Sequence, residues 1–134
     1  MTRVVVNGTF DILHVGHLEL LRHAKTAYPN SGVLVLIDSD RRVSELKGPS
    51  RPINTAEERK IMLLALRYVD YVNTFDSDEE LVANIRAFDP DVMVKGSDYR
   101  GTMILGAEYC KEIYFYERLK HFSTTKKIQD ITSR

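Results

Sequence analysis

The residues best suited to chemistry crowd into ten positions near the start of the chain: Gly8-Thr9-Phe10-Asp11-Ile12-Leu13-His14-Val15-Gly16-His17. His14 and His17 are three apart, so at the start of a helix they share one face. A helix N-terminus adds partial positive charge and free N–H groups, both of which favour an anion. Gly8 lets the chain turn and brings backbone N–H groups close to a bound phosphate. Imidazoles, amides and dipole converge on a place suited to a polyphosphate. The competing reading is half of a metal site, which needs further His, Cys or carboxylate ligands. Only His23 and His121 remain, and neither forms an evident set.

The surrounding pattern must hold that stretch in place. Val4-Val5-Val6 before it reads as a buried strand, and Leu18, Leu21 and Ala24 after it recur at helical spacing. Val33-Leu34-Val35-Leu36-Ile37 is the continuous aliphatic run of a strand covered on both faces. Thr55 and Glu58 form a capping-box pattern for a helix running through Ile61, Leu64, Ala65 and Leu66 to about Tyr68. Tyr71 to Phe75 reads as a strand, Asp78 to Phe88 as a helix with Leu81, Val82 and Ile85 inward, Asp91 to Val94 as a strand and Ile113 to Tyr116 as a fifth. Ser123-Thr124-Thr125 caps a last helix, whose clear apolar anchors are Ile128 and Ile131. Alternating strands and helices predict one α/β domain over residues 1–134: a Rossmann-like fold, with about five parallel strands and helices on both faces. The motif then lies at the carboxyl end of the first strand, where open α/β sheets bind ligands. Asp40 to Asn54 is the longest stretch without a clear element, and reads as a charged loop of functional type.

Composition narrows the classes. Lys plus Arg equals Asp plus Glu at 19 each, which argues against a general nucleic-acid binder. The lone cysteine, Cys110, can form no intrachain disulfide and reads as structural. No apolar run approaches a membrane span, and the first residues do not fit a signal peptide, so a soluble cytoplasmic protein is expected.

The motif, taken with its context, resembles the nucleotide-binding signature of the cytidylyltransferase-like nucleotidyltransferase superfamily, related to class I aminoacyl-tRNA synthetases. The resemblance spans nearly the whole chain. Leu46-Lys47-Gly48, Arg51-Pro52-Ile53-Asn54, Glu58-Arg59, Val69-Asp70-Tyr71-Val72 and Pro90 through Tyr99 resemble the heptose-1-phosphate adenylyltransferase domain of ADP-heptose synthases. Ser123-Thr124-Thr125 resembles a terminal motif that those enzymes share with glycerol-3-phosphate cytidylyltransferases. Arg118 sits where the latter carry Arg-Thr-Glu-Gly, but Leu119-Lys120-His121 replaces the last three residues.

The resemblance implies transfer of a nucleoside monophosphate from ATP or CTP to a small phosphorylated sugar or polyol, with release of pyrophosphate. Both reactants are anions, so the protein must align them and stabilise spreading negative charge. His14, His17 and Lys47 are the implied catalytic residues. Gly8, Thr9, Phe10, Gly16, Asp98, Arg118, Ser123, Thr124 and Thr125 are the implied nucleotide ligands, and Asp11 and Arg59 the acceptor ligands. Simpler roles stand beside several of these: a solvated lysine for Lys47, a helix-face salt bridge for Arg59, an Asx turn for Asp98 and an N-cap for Ser123. Mg²⁺ is expected to accompany the triphosphate, with no protein metal ligands assigned. The resemblance further implies a homodimer. A nucleotide-binding module without turnover is the alternative of a different class.

Overall fold

The structure is a computed structural model and describes residues 1–117 and 124–134. Arg118 and Ser123 therefore lie outside the described residues. Five strands, β1 (Thr2–Gly8), β2 (Ser31–Asp38), β3 (Tyr71–Phe75), β4 (Val92–Gly96) and β5 (Glu112–Tyr116), form one parallel sheet in the order β3-β2-β1-β4-β5. All eight residues of β2 are buried, as its uninterrupted aliphatic run requires.

Helices cover both faces. On one, Val4, Val6, Val33, Val35 and Ile37 pack with Leu21 and Ala24 of α1 (Val15–Thr26) and with a leucine further along, Leu63. On the other, Val5, Leu34, Leu36 and Met93 pack with Phe75, Leu81 and Ile85. Burying each such side chain contributes about 1.5–3 kcal/mol.

The segment Asp40 to Asn54 is not one loop. Its first half is α2 (Asp40–Lys47), capped by Ser39, whose hydroxyl accepts from the Arg42 N–H, and ended at Gly48 with φ 106°. Only Val43 is buried in it, so it has almost no apolar periodicity to read. Lys47 accordingly stands at the end of a helix rather than within a loop.

The next helix, α3 (Ala56–Leu64), has the expected Thr55/Glu58 capping box but stops before Tyr68. Its buried residues are Arg59 and Leu63, whereas Ile61 is 59% and Leu64 45% exposed. A buried arginine occupies the inward stripe, which disguised that stripe in the sequence.

Helix α4 (Asp78–Phe88) matches its prediction and ends at Asp89 in the left-handed region. The final helix, α5 (Thr124–Thr132), buries Thr124, while the expected anchor Ile131 is 63% exposed.

Sheet order places the site. From β1 the chain winds outward through β2 to β3, then returns to the far side of β1 for β4 and β5. The reversal falls between β1 and β4. There the register pairs only Val4 with Val92 and Val5 with Met93, whereas β1 pairs with β2 through Gly8 and Ile37. The sheet opens at its carboxyl edge where α/β domains bind ligands.

Candidate active site

At this edge β1 ends in Gly8, and the chain reaches α1 through a loop built on unusual backbone. The left-handed residue is Phe10, at φ 52°, rather than Gly8. A Cβ on Gly8 would come within 3.0 Å of the Phe10 ring, so glycine here makes room for that ring. Phe10 is buried in the core, and such packing sustains a backbone geometry that costs energy in a non-glycine residue.

His14 is the N-cap of α1, in extended conformation, and His17 stands three residues on. The two rings stack with centroids 3.7 Å apart, and the Phe10 ring lies 5.0 Å from that of His17. The His14 N–H donates to His17 Nδ1 at 3.3 Å. With Nδ1 accepting, the proton of neutral His17 resides on Nε2, at the opposite end of the ring. Gly16 lies in the first turn, where the His17 N–H donates to the His14 carbonyl at 3.0 Å while the Val15 and Gly16 amides precede the first helical acceptor. Burial, reinforced by the positive charge of Lys127, lowers the His14 pKa below its ordinary value. His14 is thus an uncharged imidazole at neutral pH.

The two residues expected in the acceptor pocket both have partners within the protein. The Asp11 side chain is wholly buried and accepts from the Ile53 N–H at 2.8 Å, the Asn54 N–H at 2.7 Å and Arg51 Nε at 3.2 Å. Asn54 Nδ2 donates back to the Asp11 carbonyl. Asp11 is the anchor of the 48–54 loop, and its oxygens are spent on the protein. Arg59 is equally committed. Its guanidinium is wholly buried and donates to the carbonyls of Thr9, Asp38 and Asn54 and to Asp40 Oδ1. Burial of both charges is possible because each is paired and hydrogen-bonded. Both therefore tie the motif loop to the segments around residues 38–40 and 51–54.

Lys47 projects from the C-terminus of α2 and has no hydrogen-bond or ion-pair partner among the described residues. Its pKa is lowered, first by partial burial and next by repulsion from Arg51, against the pull of Asp38 and Asp11. The backbone of Arg51, bonded to Gly48 and Ser44, keeps the Arg51 loop against the end of α2 that carries Lys47. Thr124 Oγ1 donates to the carbonyl of Ile12 at 3.0 Å, tying the first residue of α5 to the motif loop. Thr125 follows it, exposed. Thr9 reaches Asp38 with its hydroxyl at 3.4 Å. Asp98 lies in a short 3-10 turn directly after β4, exposed and on the same edge of the sheet.

Sequence reasoning passed over Arg51 and Lys127. The available signal for Arg51 was Asp11 itself: a carboxylate between a buried strand and a buried helix needs a cation partner. Lys127 had no such signal. Among the described residues, no group of three or more His, Cys, Asp or Glu is placed to hold a metal ion. No described helix is long and apolar enough to cross a membrane. Cys110 packs against the core of the sheet face that holds Val5, Leu36 and Ile85, and burial, then Glu108, pushes its thiol to about 11, in keeping with a structural role.

A parallel sheet whose switch-point crevice is bordered by stacked imidazoles at a helix start defines a nucleotide-binding α/β domain of the nucleotidyltransferase type. The chain belongs to the cytidylyltransferase-like family, whose model matches residues 5–132. It is 45% identical over 130 residues to the bifunctional protein HldE of Sulfurimonas denitrificans, which covers 96% of this chain and 26% of that protein. It is 42% identical over 130 residues to the HldE of Campylobacter fetus, covering 97% of this chain and 28% of that one. The chain thus spans about a quarter of the length of these relatives. Its fold is shared by a lipopolysaccharide core biosynthesis protein from Thermoplasma volcanium, with TM-score 0.66, 23% identity and coverage of 87% and 98% of the two chains. It is also shared by a bifunctional NMN adenylyltransferase/ADP ribose pyrophosphatase from Francisella tularensis, with TM-score 0.68, 17% identity and coverage of 98% and 42%.

Proposed function

We propose that this chain transfers the adenylyl group of ATP to a heptose 1-phosphate or closely similar sugar phosphate, releasing pyrophosphate. The observation that carries this reading is the stacked His14–His17 pair at the start of α1, beside the crevice between β1 and β4. The resemblance of residues 46–54, 58–59, 69–72 and 90–99 to heptose-1-phosphate adenylyltransferase domains favours a sugar phosphate over glycerol 3-phosphate, and ATP over CTP.

The acceptor phosphate oxygen attacks the α-phosphorus in line. The new P–O bond forms as the bond to the β-phosphate oxygen breaks, and its electrons leave with pyrophosphate. His17 donates Nε2–H to a phosphate oxygen, His14 joins it, and the α1 N-terminus supplies amides to the same oxygens. Imidazoles already positioned by stacking need no reorganisation when charge spreads in the transition state. Lys47 neutralises phosphate from the α2 side. Thr124 and Thr125 supply hydroxyls from the start of α5, and Asp98 faces the ribose or base. Mg²⁺ enters with the triphosphate as part of the substrate, neutralising its charge. A cytoplasmic location accords with nucleotide substrates. Exposed Ile53, Ile61, Met62 and Leu64 on and beside α3 support a homodimer.

The test is a pyrophosphate-release screen of ATP, CTP, GTP and UTP against sugar 1-phosphates and glycerol 3-phosphate. Release with ATP and a heptose 1-phosphate is expected. Nucleotide binding without release from any pair would mark a module without turnover and overturn the proposal.

A further inference from the structure

Arg51 has no part in the phosphoryl-transfer steps assigned to the imidazoles and Lys47, yet its environment is closely built. Its N–H donates to the Gly48 carbonyl at 3.1 Å, and its own carbonyl accepts from the Ser44 hydroxyl. Two residues on, the loop is fastened to Asp11 by the N–H groups of Ile53 and Asn54. The side chain is only 10% exposed, with Nε turned to Asp11 at 3.2 Å. Nη2 is buried and has no hydrogen-bond partner among the described residues. Buried guanidinium nitrogens are ordinarily satisfied, and Arg59 beside it shows this, with all three of its nitrogens donating. Lys47, whose ammonium is disfavoured by burial and then by the Arg51 charge, lacks a partner among the described residues as well. The backbone of Arg51 bonds to Ser44 and Gly48, on either side of Lys47, so the two cations adjoin; of the carboxylates that act on them, Asp11 is shared with two backbone amides and Asp38 is paired with Arg42.

We propose that Arg51, through Nη2 and together with Lys47, binds the phosphate of the acceptor. The assignment rests on the nucleotidyltransferase reading. The triphosphate has the imidazole pair and the α1 N-terminus, whereas Lys47 and Arg51 come from the end of α2 and the loop after it. A phosphomonoester carries close to two negative charges at neutral pH, which two cations balance. Arg51 provides directional N–H groups and Lys47 a compact charge. Asp11 holds the guanidinium by Nε and leaves Nη2 for the ligand.

The experiment compares wild type with Arg51→Lys. The substitution keeps the charge but loses the fork. The KM for the sugar phosphate should rise roughly 10–100-fold, the loss expected of one charge-assisted hydrogen bond, while the KM for ATP stays within about twofold of wild type. An unchanged acceptor KM, or an equal rise in both constants, overturns the assignment. A second measurement does not depend on that variant being active. In wild type labelled with ¹⁵N-arginine, the Arg51 Nε–Hε signal is followed as inorganic phosphate is added with Mg²⁺ and a non-hydrolysable ATP analogue present. A saturable shift supports the site, and a signal that stays put across the titration overturns it. The two readings fail separately. Absence of pyrophosphate release by wild type from every pair sinks the transferase, while the titration still decides on Arg51.

Discussion

Replacing Asp11 by alanine distinguishes an acceptor ligand from an anchor. Were Asp11 a ligand, its loss would slow the reaction and leave the fold nearly untouched. The structure gives a different outcome. The wholly buried carboxylate satisfies the amides of Ile53 and Asn54 and the Nε of Arg51. Alanine strands all three donors. An unsatisfied buried polar group costs about 1–3 kcal/mol, and a buried ion pair broken by loss of one partner about 3–5 kcal/mol. The donors share one loop and relax together, so these costs do not simply add. A net loss of roughly 3–5 kcal/mol is expected, which for a domain of this size lowers Tm by roughly 10–20 °C. Urea unfolding followed by far-ultraviolet circular dichroism gives the free energy, and a thermal scan gives Tm. Asp11→Asn, which retains one acceptor oxygen, should fall between. If Asp11→Ala unfolds within about 1 kcal/mol of wild type, the carboxylate is not the anchor and the loop is held by something else.

Four further outcomes are expected. His14→Ala and His17→Ala should each lower turnover by roughly 10²–10³ with little change in Tm; near-normal turnover in both purified variants would remove the imidazole pair from the mechanism. The depressed His14 pKa has a linkage consequence. Between the folded value and 6.5 the unfolded chain binds the extra proton, so stability from this group is whole above 6.5 and declines as pH falls through that window. Lys127→Ala should move the His14 titration, followed by NMR, upward, and an unmoved titration would show that Lys127 does not act on it. Helix α5 buries only Thr124, which hydrogen-bonds the motif loop. Amide exchange across 124–132 should slow when ATP and Mg²⁺ are added, because ligand contacts would supply docking that this short helix lacks. Equal exchange in the two states would separate α5 from the site.

Much of this architecture is present in local sequence. Five strands and four of the helices announce themselves by period, by caps such as Thr55 with Glu58, and by stops such as Asp89-Pro90. The motif from Gly8 to His17 carries its chemistry locally too, because three-residue spacing at a helix start needs no distant partner to align the rings. Helix α2 escaped notice because a surface helix with one buried side chain, Val43, leaves no stripe.

The roles of isolated charges are a different matter. Asp11, Arg51 and Arg59 lie far apart in the chain, and each could have faced solvent, a ligand or the protein. The fold brings Asp11 to Arg51 across 40 residues and Arg59 to the Thr9 carbonyl across 50. Whether a charge is spent or available depends on which donors and acceptors surround it after folding. Composition and spacing hold no record of that. They carry the expectation of an anion site at the start of α1. Tertiary structure decided that Asp11 and Arg59 are buried and paired within the protein, and that Lys47 and Arg51 Nη2 keep no hydrogen-bond partner among the described residues.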